Sequence, residues 1–217
     1  MIYTIGLVDD NEDQLSDIRA AIKANKSQDL EINFKTYSIP QNSENAIEIL
    51  LKEILDDIKN GGIHSLIIDF KIVIATKNIQ GSELFNLVKK SLSSFPVVIL
   101  TERPEESKKP DFIDADKVYI KREFLKIKEA YSKEKITNIL DSMVKYVNQK
   151  DSLLVKLEEQ QTKMNHASDD IQEIIEIENQ LAKFIPMGLT QADIQINSTK
   201  IAELTTLINN LNHLLEK

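Results

Sequence analysis

A chain of 217 residues without a single cysteine excludes disulfide scaffolds, thiolate metal sites and thiol nucleophiles, and its formal net charge of -8 opposes nucleic-acid binding, which needs a basic face. One core of about 100 to 150 residues leaves room for an appendage at this length. Five glycines and five prolines point to long regular elements, no apolar run reaches the length of a membrane span, and the start MIYTIGLVDD lacks the basic flank of a signal peptide, so the expected location is the cytoplasm.

Residues 2–8 form a short apolar run with β-branched members and predict a first strand. NEDQLSDIRAAIKAN follows with Leu15, Ile18, Ala21 and Ile22 on one helical face. LEINFKTY alternates with period two and predicts a second strand near an edge. From Ser43, SENAIEILLKEILDDIKN is an amphipathic helix that stops at Gly61 and Gly62. HSLIID is continuously apolar up to its acid, which suits a central strand covered on both faces. A loop of about ten residues then leads to Gly81 and Ser82, with Ser82 as the expected N-cap of the helix SELFNLVKKSLSS. FPVVILT and DKVYIK predict a fourth and a fifth strand. Between them, ERPEESKKPDFIDA carries two prolines and many charges, so the helix expected there is short or missing.

This alternation over the first 121 residues predicts an α/β fold with a parallel sheet. Beyond Lys121 no strand signal appears. From Ile136 a heptad runs through Met143, Leu157, Met164, Ile171 and Ile185 at one seam position and Leu140, Val147, Leu154 and Ile175 at the other, with Lys150, Gln161, Ser168 and Glu178 as polar members. PMG at 186–188 interrupts it, Thr190 is a credible cap, and Ile194, Ile201, Leu204, Ile208, Leu211 and Leu215 pattern a last helix. The expected organisation is a first domain over 1–130 and an all-α hairpin or coiled coil over 131–217, broken at about 186–190, that forms a homodimer. His166 reads as a solvated helix-face residue, and the charge and the lack of a basic recognition helix disfavour DNA as a partner.

In an open parallel sheet, ligands collect beyond the carboxyl ends of the strands. The first strand ends in Asp9 and Asp10, the third in Asp69, the fourth in Thr101 and the fifth in Lys121. Taken alone, Asp69 reads equally as a helix cap, a metal ligand, a nucleophile or the first solvated residue of a loop. Three acids on one rim repel each other unless a cation compensates them, and Mg²⁺, a hard ion content with one or two carboxylates, is suited to that. With no histidine base or thiol, the set suits placement of a phosphoryl group on a carboxylate.

The order Asp-Asp, Asp, Thr, Lys at successive strand ends resembles the receiver domain of two-component response regulators, over residues 1 to about 130. The resemblance implies a five-stranded parallel sheet in the flavodoxin-like order 2-1-3-4-5. It implies that Asp69 is the phosphoacceptor, that Asp9, Asp10, Asp69 and the backbone carbonyl of Lys71 hold Mg²⁺, and that Thr101 and Lys121 sense the phosphoryl group. The donor would be a histidine kinase or a small phosphodonor, and the output an unidentified downstream protein. The sequence departs from the family in four places: no proline follows Asp69 in FKIVIATKNIQG, Glu102 stands where a small residue is usual, Val118 takes the place of the switch aromatic, and Arg122 follows the lysine. Glu102 is expected to limit access to Asp69. A pseudo-receiver scaffold that binds a partner and oligomerises without phosphorylation is the rival reading, and a phosphatase is disfavoured by Lys71 where an acid would be needed.

Overall fold

The computed structural model describes residues 2–40, 45–74, 77–102, 115–163 and 168–186. Five strands, β1 (Ile2–Val8), β2 (Glu31–Thr36), β3 (Ser65–Asp69), β6 (Val97–Thr101) and β7 (Val118–Ile120), form one parallel sheet in the order β2-β1-β3-β6-β7. Counting sheet strands alone, this is the expected 2-1-3-4-5 arrangement. The two missing numbers belong to β4 (Lys71–Ile74) and β5 (Lys77–Gln80), an antiparallel hairpin that occupies the stretch expected to be a loop.

Helix α1 (Glu12–Asn25) buries Leu15, Ile18, Ala21 and Ile22, the face its spacing predicts. Asn11 caps it by accepting from the N–H groups of Asp13 and Gln14. Helix α2 (Ala46–Lys59) buries Ala46, Leu50, Ile54 and Ile58. It ends at the predicted glycines: Gly61 sits at φ 70° and donates to the carbonyl of Ile58, while Gly62 donates to Asp57, the bond pattern of a left-handed C-terminal cap. The Tyr37 hydroxyl donates to Asp57 Oδ2 at 2.6 Å and ties the chain after β2 to the end of α2.

Ser65 to Ile68 of β3 are all buried. Successive strand side chains point to opposite faces, so both faces of the central sheet are covered. Helix α3 (Gly81–Ser91) packs against α2, and α1 packs against α5 (Ala130–Lys163). The expected N-cap of α3 is displaced: Gln80 holds that position without a side-chain bond, and Ser82 lies inside the first turn, buried, with its hydroxyl 3.3 Å from Gln80 Oε1. The hairpin delivers the chain to the helix two residues earlier than the expected cap would.

After β7 a short helix, α4 (Lys121–Phe124), precedes α5, which at 34 residues is about 51 Å long at about 1.5 Å per residue. Its first half is core: Ile136, Ile139, Leu140, Met143 and Val147 are buried together with the sheet residues. The predicted seam therefore begins on the sheet domain. Helix α6 (Ser168–Leu181) packs back on α5, and the Tyr146 hydroxyl donates to the carbonyl of Phe184 at 2.5 Å. The single arm expected from 136 to 185 is thus two described helices, α5 and α6. Leu154, Val155 and Ile175 remain exposed on them. Residues 103–114 of the segment in which a short or missing helix is expected, Met164, His166, and everything beyond Pro186, including Thr190 and the last heptads, lie outside the described residues. Among the described residues no helix is long and apolar enough to cross a membrane.

His64 introduces a pH dependence. It is buried where β3 begins, and its Nδ1 accepts from the N–H of Thr4 at 3.0 Å. Burial, and then the Lys150 ammonium, push the imidazole below its ordinary range, against a weaker opposing pull from the Asp151 carboxylate. With the folded value lowered, the unfolded chain binds the extra proton, so this contribution is full above about pH 6.5 and is lost as pH falls through the unfolded value, at up to about 1.4 kcal/mol per pH unit. Urea unfolding at pH 7.5 and 5.5 should show the loss in the native chain and a smaller one in His64→Asn, which keeps an acceptor for Thr4. Equal pH slopes in the two proteins would assign the effect elsewhere.

Candidate functional site

The sheet register assembles the site. Val8 lies beside Ile68, Asp69 beside Leu100, and Thr101 beside Ile120. The next residue on each strand therefore emerges at one level, which brings Asp9, Asp69, Thr101 and Lys121 to a common rim although they are spread over more than 110 positions. Lys121 Nζ is 2.7 Å from Asp9 Oδ2 and 2.5 Å from Asp69 Oδ1. The side chains of Lys121 and Asp9 are each 2 % exposed and that of Asp69 is 11 %. The ammonium is thus buried between two carboxylates.

The remaining carboxylate oxygens are held by backbone. Asp9 Oδ1 accepts from the N–H of Asn11 and Asp69 Oδ2 from that of Lys71, each at 2.9 Å. Burial pushes the Asp69 carboxyl above the usual carboxylate range, against the opposite pulls of Lys121 and the Lys71 N–H. Burial alone pulls the Lys121 ammonium down, but Asp69 and Asp9 outweigh it and raise it. Both groups hold protons more tightly than free ones, the acid because it is desolvated and the lysine because two acids face it.

A pocket of about 230 Å³ opens beside this cluster, lined by Asp10, Asn11, Asp69, Lys71, Thr101, Glu102 and Lys121 among others. Thr101 is buried, whereas Asp10 and Glu102 are exposed. Asp9 does not line the pocket, since its carboxylate is turned to Lys121 and Asn11. Its lining supplies three carboxylates, Asp10, Asp69 and Glu102, the Thr101 hydroxyl, and Lys71 two places after Asp69. That all-oxygen set fits a hard divalent ion that keeps part of its water. Among the described residues, no group of three or more histidine, cysteine, aspartate or glutamate side chains is placed to hold a metal, so such an ion would rest on Asp10, Asp69, the Lys71 carbonyl and solvent.

Sequence reasoning overlooked two contributors. Asn11, read only as the start of a helix pattern, both caps α1 and fixes Asp9; an Asn directly after an acid pair and before a helical run is the signal that could have found it. Gly81, read only as the start of α3, donates its N–H to the carbonyl of Phe70 at 2.8 Å, and a Cβ on it would meet the Asp69 carbonyl oxygen at 2.0 Å. It closes the neck of the β4–β5 hairpin against the residue that carries the site. Val118 is half-buried, while Tyr119 is buried and has the Lys135 ammonium 5.5 Å from its ring centroid.

A five-stranded parallel sheet in 2-1-3-4-5 order, with an acid, a hydroxyl and an ammonium at its strand ends, has the flavodoxin-like architecture of receiver domains. The solved structures similar to this chain include the bacteriophytochrome response regulator AtBRR (16 % identity, TM-score 0.42, covering 66 % of this chain and 93 % of that one). A response regulator receiver domain from Rhodospirillum rubrum is similar at 20 % identity and TM-score 0.36, over 66 % of this chain and 94 % of that one. The RcsB response regulator of Salmonella typhimurium, in a structure concerned with its DNA interaction, is similar at 14 % identity and TM-score 0.44, over 91 % and 98 %. At these values the likeness is one of fold and carries no function with it. No family model matches the chain, and no curated protein does.

Proposed function

We propose that this protein is an atypical response regulator that accepts a phosphoryl group on Asp69 in a Mg²⁺-dependent reaction and signals through altered dimerisation or partner binding. The observation that carries the reading is the buried Lys121 ammonium bridging Asp9 and Asp69 at the edge of a pocket that also holds Thr101. A phosphorylated carboxylate needs a nearby cation and a hydrogen-bond donor, and this arrangement offers both.

In the proposed step an Asp69 oxygen attacks the phosphorus of a histidine kinase's phosphohistidine or of a small acyl phosphate. The new P–O bond replaces the P–N or P–O bond to the donor, and the leaving group departs with the electron pair. Bound Mg²⁺, held by Asp10, Asp69 and the Lys71 carbonyl, would supply compensation for phosphoryl charge. Lys121 gives up its contact with one Asp69 oxygen to face the phosphoryl oxygens while remaining paired with Asp9, and the Thr101 hydroxyl donates to the same group. Domain 1–130 would be the receiver, and the helices after it, with exposed Leu154, Val155 and Ile175, would carry the homodimer contact. A cytoplasmic location belongs to the same reading.

Glu102 at the pocket mouth favours a second reading, the non-phosphorylated scaffold, since its negative charge stands where an anionic donor would enter. Intact-mass measurement after incubation with Mg²⁺ and acetyl phosphate separates the two. One added phosphoryl group is expected on the native chain, none on Asp69→Asn, and faster addition on Glu102→Ala. An unmodified mass for both the native chain and Glu102→Ala, under conditions that modify an ordinary receiver, would decide for the scaffold.

A further inference from the structure

The register of the β4–β5 hairpin says which of its backbone groups point away from it. In an antiparallel pair, facing residues alternate between those that exchange hydrogen bonds and those whose N–H and C=O groups turn from the partner strand. Gly81 donates to the carbonyl of Phe70, one step outside the facing pair Lys71 and Gln80, which makes that pair one of the second kind. Ile72 faces Ile79 and Val73 faces Asn78, so the groups of Lys71 and Val73 point outward on β4, and those of Asn78 and Gln80 outward on β5. Asp69 Oδ2 takes the Lys71 N–H. The Lys71 carbonyl and both groups of Val73 have no ladder partner among the described residues, where β4 and β5 form a sheet of two strands.

A two-stranded ribbon is marginal in water and gains from a third strand. The main sheet guards its own edge differently, since at β7 the Ile120 N–H is capped by the Tyr131 hydroxyl at 2.9 Å. The outer edge of β4 also runs into the Asp69 pocket, where Lys71 stands with Asp10, Asp69 and Glu102. Between the lining residues Asn11 and Gln14, the exposed Glu12 and Asp13 add two more acids, while the Lys121 ammonium is already paired with Asp9 and Asp69. This end of the edge therefore attracts a cation, and a second copy of the chain, at net charge -8, brings the wrong sign. We propose that the outer edge of β4 is a strand-addition site for an extended, lysine- or arginine-rich segment of a partner protein. The Lys71 carbonyl and the N–H and carbonyl of Val73 pair with the backbone of that segment, and a cationic side chain at its end faces the pocket carboxylates. The interaction needs no phosphoryl transfer to Asp69 and stands apart from the function proposed above.

The probe is a seven-residue peptide of alternating lysine and valine, blocked at both ends and labelled, titrated into the full chain at low salt and followed by fluorescence anisotropy. Saturable binding is expected, about tenfold weaker when glutamate replaces each lysine. It should be lost when the cationic peptide is N-methylated throughout, since that form keeps its charge but cannot donate from its backbone. Val73→Pro deletes an outward N–H without touching the hairpin ladder, a position at which a sheet edge accepts proline, and should weaken binding about tenfold. Asn78→Pro deletes the outward N–H at the facing position on β5 and is the matched control, expected to bind as the native chain does. No saturable binding at millimolar peptide, equal binding of the N-methylated peptide, or equal losses in Val73→Pro and Asn78→Pro would overturn the site. Equal binding of the two peptides would leave attraction by charge alone, and equal losses in the two variants would trace the effect to the hairpin's integrity. The two peptides compared on the native chain decide the question even where a proline variant fails to fold.

Discussion

Lys121→Met is expected to cost the fold about 3 to 5 kcal/mol at pH 7.5, the usual result of removing one member of a buried ion pair and leaving the other uncompensated. Methionine keeps most of the stem, so the loss is electrostatic rather than a cavity. Two carboxylates, with side chains 2 % and 11 % exposed, would be left facing each other across the vacated ammonium position. Each would raise the other's pKa above its unfolded value. With a raised folded value the folded state holds the proton better, so the variant is most stable below the ordinary carboxylate pKa, about 4, and loses stability as pH rises through the folded value. Against a total stability of about 5 to 15 kcal/mol for a domain this is a large fraction. Urea unfolding at pH 4.5 and 7.5 reads the effect, and Lys121→Met/Asp9→Asn should recover much of it by removing one of the two acids. A Lys121→Met unfolding free energy at pH 7.5 within about 1 kcal/mol of the native chain would mean that the cluster is solvated well enough to need no lysine.

Gly81→Ala is the second large effect. A Cβ at this position would stand 2.0 Å from the Asp69 carbonyl oxygen, 3.0 Å from its carbonyl carbon and 2.8 Å from Ile68 Cγ2. Two of those three neighbours are backbone and cannot yield by rotating a side chain. Either the neck of the hairpin opens and the bond from Gly81 to Phe70 is lost, or the end of β3 shifts and Asp69 moves with it. The stability cost is expected at about 3 kcal/mol, the upper part of the overpacking range. Because a displacement of about 1 Å at a reacting group can cost about a hundredfold in rate, phosphoryl transfer to Asp69 should fall by a comparable factor. Gly61→Ala is the matched control: it meets nothing within 4 Å and suffers only from its φ of 70°, a strain of about 1 kcal/mol with no consequence at Asp69. A Gly81→Ala protein that melts within a degree or two of the native chain and is modified at the native rate would show that the hairpin neck is free to adjust.

The elements that position the cluster were legible because their signals are local. Leu15, Ile18, Ala21 and Ile22 repeat with helical spacing and are the residues α1 buries, and Gly61–Gly62 end α2 for a reason of backbone geometry that needs no tertiary partner. SLIID reads as a central strand because Leu66, Ile67 and Ile68 are apolar in succession, as suits a strand covered on both faces. The β4–β5 hairpin escaped notice for equally physical reasons. Its strands are four residues each, the first starts two places after β3 ends, and the intervening AT lacks the Asn-Gly or Asp-Gly chemistry that announces a tight turn. The helical seam misled differently, since an apolar stripe records that a face is covered and says nothing of what covers it. Ile136, Leu140, Met143 and Val147 have the heptad spacing of a coiled coil and are buried instead among the sheet domain's core residues.

By itself, then, the sequence determined the parallel α/β sheet, the order of its elements and the identity of the strand-end residues, because apolar periodicity, caps and β-branched runs are written within ten or twenty residues. Only the tertiary structure decided how those residues share their charge. Asp9 turned away from the pocket to Lys121 and Asn11, Asp10 stayed at the mouth, Gly81 came against the backbone of Asp69, and the buried Ser65 hydroxyl has no partner among the described residues. Each of these depends on register and close approach between segments far apart in the chain, where a shift of one residue would turn a side chain to the other face.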